Sequence, residues 1–191
     1  ENEERIGNLT VENFTANQTL GSGLTFLSGH GDWGTWYNRP IHGYFTDWTN
    51  IRRLHLPMLC NGNRTPVAVV GGCHTAGFDT TVQTGSSYLT VECFSWVLTR
   101  KICGGSVATL GNTALEYGVG GTNFTEEYGG YLETHFFEIY GNKTPVVGEI
   151  WQTEITNYVN MFHARSDMVH CKAVENWVLL GDPSLKIGGY P

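Results

Sequence analysis

Charge is scarce in this chain, and positive charge most of all. Only 15% of the 191 residues are charged, against about 25% in an average soluble domain. Lys and Arg number 11 against 18 Asp and Glu, which gives a net charge of −7. With no basic cluster, a nucleic-acid partner is excluded. Long apolar runs are missing too, because runs such as 67–70 fall far short of the roughly 20 residues that span a bilayer. We therefore predict neither a nucleic-acid binder nor a membrane-spanning protein.

Common metal-binding motifs are also absent. Neither C-x-x-C nor H-E-x-x-H occurs, and no carboxylate loop resembles an EF-hand. A zinc hydrolase using His30, Asp32, Cys73 and His74 has suitable ligand types without these spacings, and it stays an alternative. What the chain does have is 40% hydrophobic residues in one domain's length, which is enough to bury a core.

Asn-x-Thr sequons are more frequent than chance predicts. Random placement of the 14 Asn and 30 Ser or Thr residues would give about two sequons. The sequence has six, at Asn8, Asn13, Asn17, Asn63, Asn123 and Asn142. We expect glycosylation at these positions and a secreted or cell-surface location; the alternative is an Asn- and Thr-rich surface without sugars. The chain begins at Glu1 with neither an initiator Met nor a signal peptide, so we expect a processed or excised piece.

Five cysteines fit an oxidising compartment, where four would pair and one would stay free. Cys93 and Cys103 lie within and just beyond a helical pattern and could pair. Cys60 with Cys171 would complete the set. The sequence does not fix this connectivity, and Cys73 is then the odd thiol.

Strand and helix patterns alternate along the chain. Residues 1–23 are polar, and we predict that they form an arm on the surface. Short apolar, β-branched runs that stop at glycines predict strands at 24–28, 66–71 and 105–110. Helical patterns cover 47–56, 88–101, 126–140 and 147–162, and a late apolar run covers 177–180. Such alternation indicates an α/β fold with a mainly parallel sheet covered on both faces.

Three glycine-rich turns follow the three predicted strands. His30, between two glycines, follows the first strand, and Cys73, after two glycines, follows the second. Gly111-Asn112-Thr113 follows the third. Because ligands bind beyond the carboxyl ends of parallel strands, we expect these turns to meet at one edge of the sheet.

A Cys and a His at that edge suit nucleophilic catalysis. A thiol needs a base or a positive neighbour to become a thiolate, and backbone N–H groups must stand near the oxyanion. A lone Cys is usually a small buried apolar residue, and a lone His is usually an ordinary polar side chain exposed to solvent. The pairing of both with strand ends is what favours a Cys73/His30 dyad. The other six histidines lack this context.

An ordered set of segments then gives a family resemblance. The set comprises 24–32 (LTFLSGHGD), 47–72 (ending in PVAVVGG), 72–79 (GCHTAGFD), 93–100 (CFSWVLTR, before GGSVATLGNT) and 177–187 (WVLLGDPSLKI). It resembles the gingipain-type family of cysteine peptidases in the caspase-like clan. Caspases themselves fit less well, since their Q-A-C-x-G turn is absent. The resemblance implies a three-layer caspase-like α/β fold.

The resemblance also implies roles for individual residues. Cys73 would be the nucleophile that forms a thioester, and His30 the general acid and base that need not touch the thiol. The oxyanion would lie between the N–H groups of Gly31 and Cys73. The substrate-binding residues would be Ser28, Gly71, Tyr117 and Glu116.

The implied function is a secreted cysteine endopeptidase that cleaves after Arg or Lys at P1. Glu116, Asp32 and Asp79 are the local carboxylates that could form an acidic pocket. No cofactor is needed for catalysis. A structural calcium occurs in this clan, but nothing in the sequence indicates one here.

The sequence departs from the family pattern in its length. The family's catalytic domain is about twice as long, and its first strands precede the His-Gly strand. We therefore interpret residues 1–23 as an arm and 24–191 as the C-terminal part of a catalytic domain. The expected partners are a peptide or protein substrate and a second chain of the same precursor that supplies the missing strands.

One other class of function stays open. A non-catalytic extracellular glycoprotein or adhesion module could use a degenerate protease fold. Its binding surface would be the aromatic loop 33–48, which includes Trp36, Tyr37, Tyr44 and Phe45.

Overall fold

A computed structural model describes residues 9–39, 48–142 and 144–189. Within these ranges the strands are β1 (Leu24–Leu27), β2 (His30–Asp32), β3 (Thr35–Asn38), β4 (Thr49–Arg52), β5 (Val67–Val70), β6 (Thr81–Thr84), β7 (Ser87–Thr90), β8 (Ala108–Asn112) and β9 (Trp177–Gly181). The α-helices are α1 (Val11–Leu20), α2 (Phe94–Thr99), α3 (Tyr128–Gly141), α4 (Val147–Met161) and α5 (Met168–Asn176).

The central sheet has the order β1-β5-β8-β9. Strands β1, β5 and β8 are parallel, and β9 runs antiparallel to β8 at one edge. All four residues of β5 are buried, which explains its continuous apolar run. The predicted mainly parallel sheet is confirmed, and the three predicted strands all belong to it.

Side chains cover both faces of this sheet, so the fold has three layers. On one face Val69 and Leu110 pack with residues of α3, α4 and α5, such as Leu132 and Ile150. On the other face α1, α2 and the β3–β4 pair cover the sheet through a second set of buried apolar side chains. That set is Phe14, Leu27, Trp36, Ile51, Leu56, Leu59, Ala68, Val70, Phe94, Val97 and Leu98.

The predicted helix at 47–56 is wrong. Thr49–Arg52 forms β4, which pairs with β3 so that Ile51 lies opposite Trp36. Ile51 is buried between exposed Asn50 and Arg52, a two-residue alternation that a strand requires and that a helical reading overlooked. Asp47, the first residue of the predicted helix, lies outside the described residues.

The predicted helix at 88–101 is shorter than expected. Residues up to Thr90 belong to the β6–β7 hairpin, and α2 starts only after Cys93, whose backbone is extended. The helices predicted at 126–140 and 147–162 are confirmed as α3 and α4. Helix α5 was not predicted; its start is capped by Asp167, which accepts the N–H groups of Val169 and His170.

The N-terminal residues contain a helix that the sequence did not indicate. Thr10 caps α1 by accepting the N–H of Asn13 at 3.1 Å. Phe14 is its one buried residue, so almost no apolar periodicity shows in the sequence. No helix in the described part of the chain is long and apolar enough to cross a bilayer.

The predicted disulfides are not formed. All five cysteines, which lie in described ranges, have free thiols. Cys93 is buried at the start of α2, and exposed Cys103 lies beyond its other end. Cys171 is on α5, which packs on one face of the sheet, whereas Cys60 follows Leu59 of the core on the opposite face.

Candidate active site

The ends of the parallel strands bring the predicted site residues together. In the sheet register Leu27 is level with Val70, and Val70 is level with Gly111. The turns that follow therefore lie side by side, and they enclose a cleft of about 180 Å³. Its lining includes the predicted residues Ser28, His30, Cys73, Glu116 and Tyr117.

Glycines allow the His and Cys turns to touch. A Cβ atom at Gly31 would lie 2.9 Å from the carbonyl oxygen of Cys73, and one at Gly72 would lie 2.8 Å from the Gly31 nitrogen. Gly72 also has φ +112°, which L side chains rarely adopt. The predicted oxyanion donors, Gly31 and Cys73, thus belong to backbones in direct contact.

Cys73 is half-buried and held by the loop that follows β8. The backbone N–H of Glu116 donates to Cys73 Sγ at 3.3 Å, and the carboxylate of Glu116 accepts the N–H of Gly72. His74 donates its backbone N–H to Ala114 at 2.7 Å. These contacts fix the position of the sulfur within the cleft.

His30 is held by aromatic rings. Its ring stacks on Tyr37 with centroids 5.7 Å apart, and it meets Trp48 edge-on at 5.4 Å. Trp36, also in the aromatic loop, is buried in the core. Tyr44 and Phe45 lie outside the described residues. Among the described rings of this loop, Tyr37 and Trp48 therefore pack around His30, Trp36 lies in the core, and Trp33 lies under the Arg53 guanidinium.

A second buried carboxyl, Glu133, shares the cleft with Glu116. It comes from α3 and is only 4% exposed. A Cβ at Gly71 would overlap the Glu133 carboxylate, and one at Gly129 would overlap that of Glu116. Gly71 thus lies beneath the cleft, where the missing side chain makes room for an acid.

Burial makes both carboxyls hard to ionise. It raises the pKa of Glu116 to about 7, against the opposing effect of the Gly72 N–H. Burial raises the pKa of Glu133 to about 8, with a further increase from the Glu116 charge and a smaller decrease from Ser28. Two such carboxyls titrate as a pair, so near neutral pH the pair is only partly ionised.

The sequence prediction included Glu116 but missed Glu133. A charged residue among apolar ones on a helix could have identified it, because Glu133 lies among Tyr131, Leu132 and Phe136 on the buried face of α3. Asp32 and Asp79, the other predicted carboxylates, do not line the cleft. Asp32 accepts the N–H of Gly34 at 2.7 Å and closes a turn.

Tyr117 forms part of the cleft wall. Its carbonyl accepts the N–H of Gly129 at 3.0 Å, and its ring contacts Tyr128 at 6.4 Å. The Tyr128 ring stacks in turn on His170 of α5. The wall is therefore supported by packed aromatic side chains.

The structure does not support the alternative of a zinc site in the part of the chain that it describes. Among residues 9–39, 48–142 and 144–189, no three His, Cys, Asp or Glu side chains are placed to hold a metal ion.

The fold is the caspase-like α/β fold of the gingipain-type peptidases. The sequence profile of peptidase family C25 matches residues 2–188, and the chain belongs to that family. No curated protein sequence matches the chain.

Solved structures agree on the fold. The Arg-specific cysteine proteinase gingipain R is similar with a TM-score of 0.67 and 18% identity, over 95% of this chain and 37% of that one. The complex of the Porphyromonas gingivalis RgpB pro- and mature domains gives a TM-score of 0.68 with 19% identity, over 95% of this chain and 38% of that one. A structure described as a protease gives a TM-score of 0.60 with 20% identity, over 90% of this chain and 37% of that one. This chain therefore spans less than two fifths of the chains that it resembles.

Proposed function

We propose that this chain carries the catalytic centre of a secreted cysteine endopeptidase, with Cys73 as the nucleophile and His30 as the proton donor and acceptor. The observation that carries the proposal is the cleft in which both side chains lie next to two buried carboxyls. The N–H that Glu116 donates to the sulfur supports the role of Cys73.

The reaction follows from these positions. The Cys73 thiolate attacks the scissile carbonyl carbon, and the oxyanion accepts hydrogen bonds from the Gly31 and Cys73 N–H groups. The C–N bond breaks as His30 protonates the leaving amine, which leaves a thioester. His30 then takes a proton from water, the hydroxide attacks the thioester carbon, and Cys73 leaves as the thiolate.

The same cleft favours a cationic side chain at P1. Glu133 and Glu116 supply negative charge at its buried end, and Ser28 and Tyr117 lie on its walls. A guanidinium or ammonium group would favour ionisation of both carboxyls, because opposite charges stabilise each other at low dielectric. We therefore infer cleavage after Arg or Lys.

A thiol-directed peptide ketone with Arg at P1 tests this function. Intact mass should show one adduct on the wild-type chain and none on Cys73→Ala. The Cys171→Ala variant, which removes another partly exposed thiol, should react like wild type. A plain alkylating agent run in parallel separates the outcomes: reaction with it but not with the peptide would refute the basic P1 preference. No reaction of Cys73 with either reagent would refute the nucleophile.

We also infer that catalysis needs no metal and that the chain acts with further chain of the same precursor. The share of the similar structures that it spans supports the second point. Dialysis against EDTA should leave the probe reaction unchanged. Native mass spectrometry of the protein purified from its source should show a second polypeptide; a fully active single chain would contradict this.

Exposure of the sequons supports a secreted glycoprotein. Five of the six sequon asparagines lie in described ranges, and all five are exposed: Asn13, Asn17, Asn63, Asn123 and Asn142. Asn8 lies outside the described residues. Peptide-N-glycosidase treatment of the source protein should lower its mass, whereas an unchanged mass would leave the sequons unused.

A further inference from the structure

Hydrogen bonds join two surface segments that are far apart in the sequence. Residues 59–62 precede β5, and residues 103–105 precede β8. The Asn61 side chain donates to the Gly105 carbonyl at 2.9 Å and accepts the Gly105 N–H at 2.7 Å. Gly62 donates its N–H to the Cys103 carbonyl at 3.2 Å. A Cβ at Gly104 would lie 2.8 Å from the Leu59 carbonyl oxygen. The two segments are therefore in direct backbone contact.

The side chains in these segments divide into an inner and an outer set. Leu59 and Asn61 are buried, and Cys60 between them is exposed. Gly104 and Gly105 are buried, and Cys103 before them is exposed. Both thiols therefore lie on the solvent side of the same contact.

We propose that Cys60 and Cys103 form a reversible disulfide that joins these two segments. A disulfide requires Cα atoms about 4.4–6.8 Å apart. The neighbours of the two cysteines already touch, since Gly62 donates to the Cys103 carbonyl and Gly104 packs against the Leu59 carbonyl. The other thiols are badly placed for either partner. Cys93 is buried, Cys73 lies in the cleft, and Cys171 is on a helix of the opposite face.

A small-molecule disulfide such as oxidised glutathione supplies the oxidant. The Cys60 thiolate attacks one sulfur of the oxidant, forms a mixed disulfide and expels one glutathione thiolate. The Cys103 thiolate then attacks the Cys60 sulfur and expels the second. Two electrons pass to the oxidant, and the two protons lost by the cysteines end on two glutathione thiols. The roles of the two cysteines can be exchanged.

The Cys60–Cys103 disulfide would raise the stability of the folded chain and would take no part in peptide-bond cleavage. It would close a loop that contains β5, the Cys73 turn and α2. A link of this length restricts the unfolded chain and so favours the folded state. The predicted sign is a higher melting temperature under oxidising conditions.

The experiment uses the Cys73→Ala chain, so its result is independent of the proposed peptidase function. The chain is equilibrated in glutathione buffers from reducing to oxidising, quenched with acid and alkylated. We expect a loss of about 2 Da, two fewer alkylated thiols, a cross-linked Cys60–Cys103 peptide and a melting temperature several degrees higher. Cys171→Ser should behave identically, while Cys60→Ser and Cys103→Ser, both exposed changes, should lose the cross-link and the shift.

Two results would overturn the proposal. One is glutathione attached separately to Cys60 and Cys103 with no cross-link between them. The other is a cross-link from either cysteine to Cys93 or Cys171.

Discussion

Glu116 acts on the Cys73 turn through both its backbone and its side chain. The backbone N–H reaches the sulfur at 3.3 Å, and the carboxylate holds the N–H of Gly72. The second contact fixes the peptide between Gly71 and Gly72, and Gly72, with φ +112°, is the residue directly before Cys73. Since the proposed oxyanion donor at Cys73 depends on this same turn, we treat Glu116 as a positioning residue.

Replacing Glu116 separates these two contacts. Glu116→Ala keeps the backbone donor but leaves the Gly72 N–H without its acceptor, which costs about 1–3 kcal/mol. We expect kcat/KM for an Arg-P1 peptide to fall about 10- to 100-fold in Glu116→Ala. Glu116→Gln retains an acceptor oxygen and should recover part of the loss in kcat. If both variants lost activity equally, the hydrogen bond to Gly72 would not be the cause.

The Glu116–Glu133 pair predicts how substrate binding changes with pH. The two groups titrate at about 7 and about 8, so raising the pH through this range makes the pair fully anionic. A cationic P1 side chain binds the anionic form, so its KM should fall about tenfold between pH 6 and pH 9. Glu133→Gln should raise KM at pH 9 and flatten the profile. A substrate with a neutral P1 residue is the control, and a parallel fall in its KM would assign the titration to another group.

At the scale of elements, secondary structure was predicted best from the sequence where the buried residues of a strand or helix keep one regular spacing. Strand β5 and helices α3 and α4 were all predicted, because their apolar residues follow one period over their whole length. Prediction failed at β4 and at the β6–β7 hairpin. Thr49–Arg52 is a strand because β3 provides a partner for it, and its short alternation around Ile51 is only a weak local signal. Helix α1 was missed because Phe14 is its one buried residue and only Val11 packs beside it against the core.

Helix α4 carries a carboxyl that the proposed chemistry does not use. Glu154 is fully buried, and burial raises its pKa well above the ordinary value. The folded state therefore holds this proton to a higher pH than the unfolded state does. Its stabilising effect is complete below about pH 4.5 and is lost as the pH rises toward the folded pKa.

Glu154→Gln removes that pH dependence. We expect the variant to gain about 1 kcal/mol or more over wild type at pH 8 and much less at pH 4, measured by urea unfolding. Glu149→Gln is the matched control, because Glu149 is exposed on the same helix and should change stability by only a few tenths of a kcal/mol. A gain that is equal at both pH values would show that proton binding at Glu154 is not responsible.

At the scale of the whole molecule, the sequence predicted where the site would form but not its full composition. Parallel strands that end in glycine turns were enough to bring His30 and Cys73 to one cleft. Glu133 was missed because it comes from a helix after all three turns, and only packing brings it beneath Gly71. Tyr37 and Trp48 were assigned to a possible binding loop, whereas pairing of β3 with its neighbours places their rings against His30.

The central sheet also makes the two cores one cooperative unit. Successive residues of β5 point to opposite faces, so Val69 packs in one core and Val70 in the other. Neither core can lose its packing without affecting this strand. We therefore expect a single unfolding transition for the described fold.

A double substitution tests this coupling. Ile51 and Ile150 are both fully buried, on opposite faces of the sheet. Ile51→Val and Ile150→Val should each cost about 0.5–1.5 kcal/mol and, having no shared contacts, should add to within about 0.5 kcal/mol. Denaturant unfolding followed by tryptophan fluorescence and by circular dichroism should give coincident curves for all variants. Ile102→Val, at a site 84% exposed, should change little. Two separate transitions, or a variant that shifts one probe alone, would mean that the faces unfold independently and that β5 does not couple them.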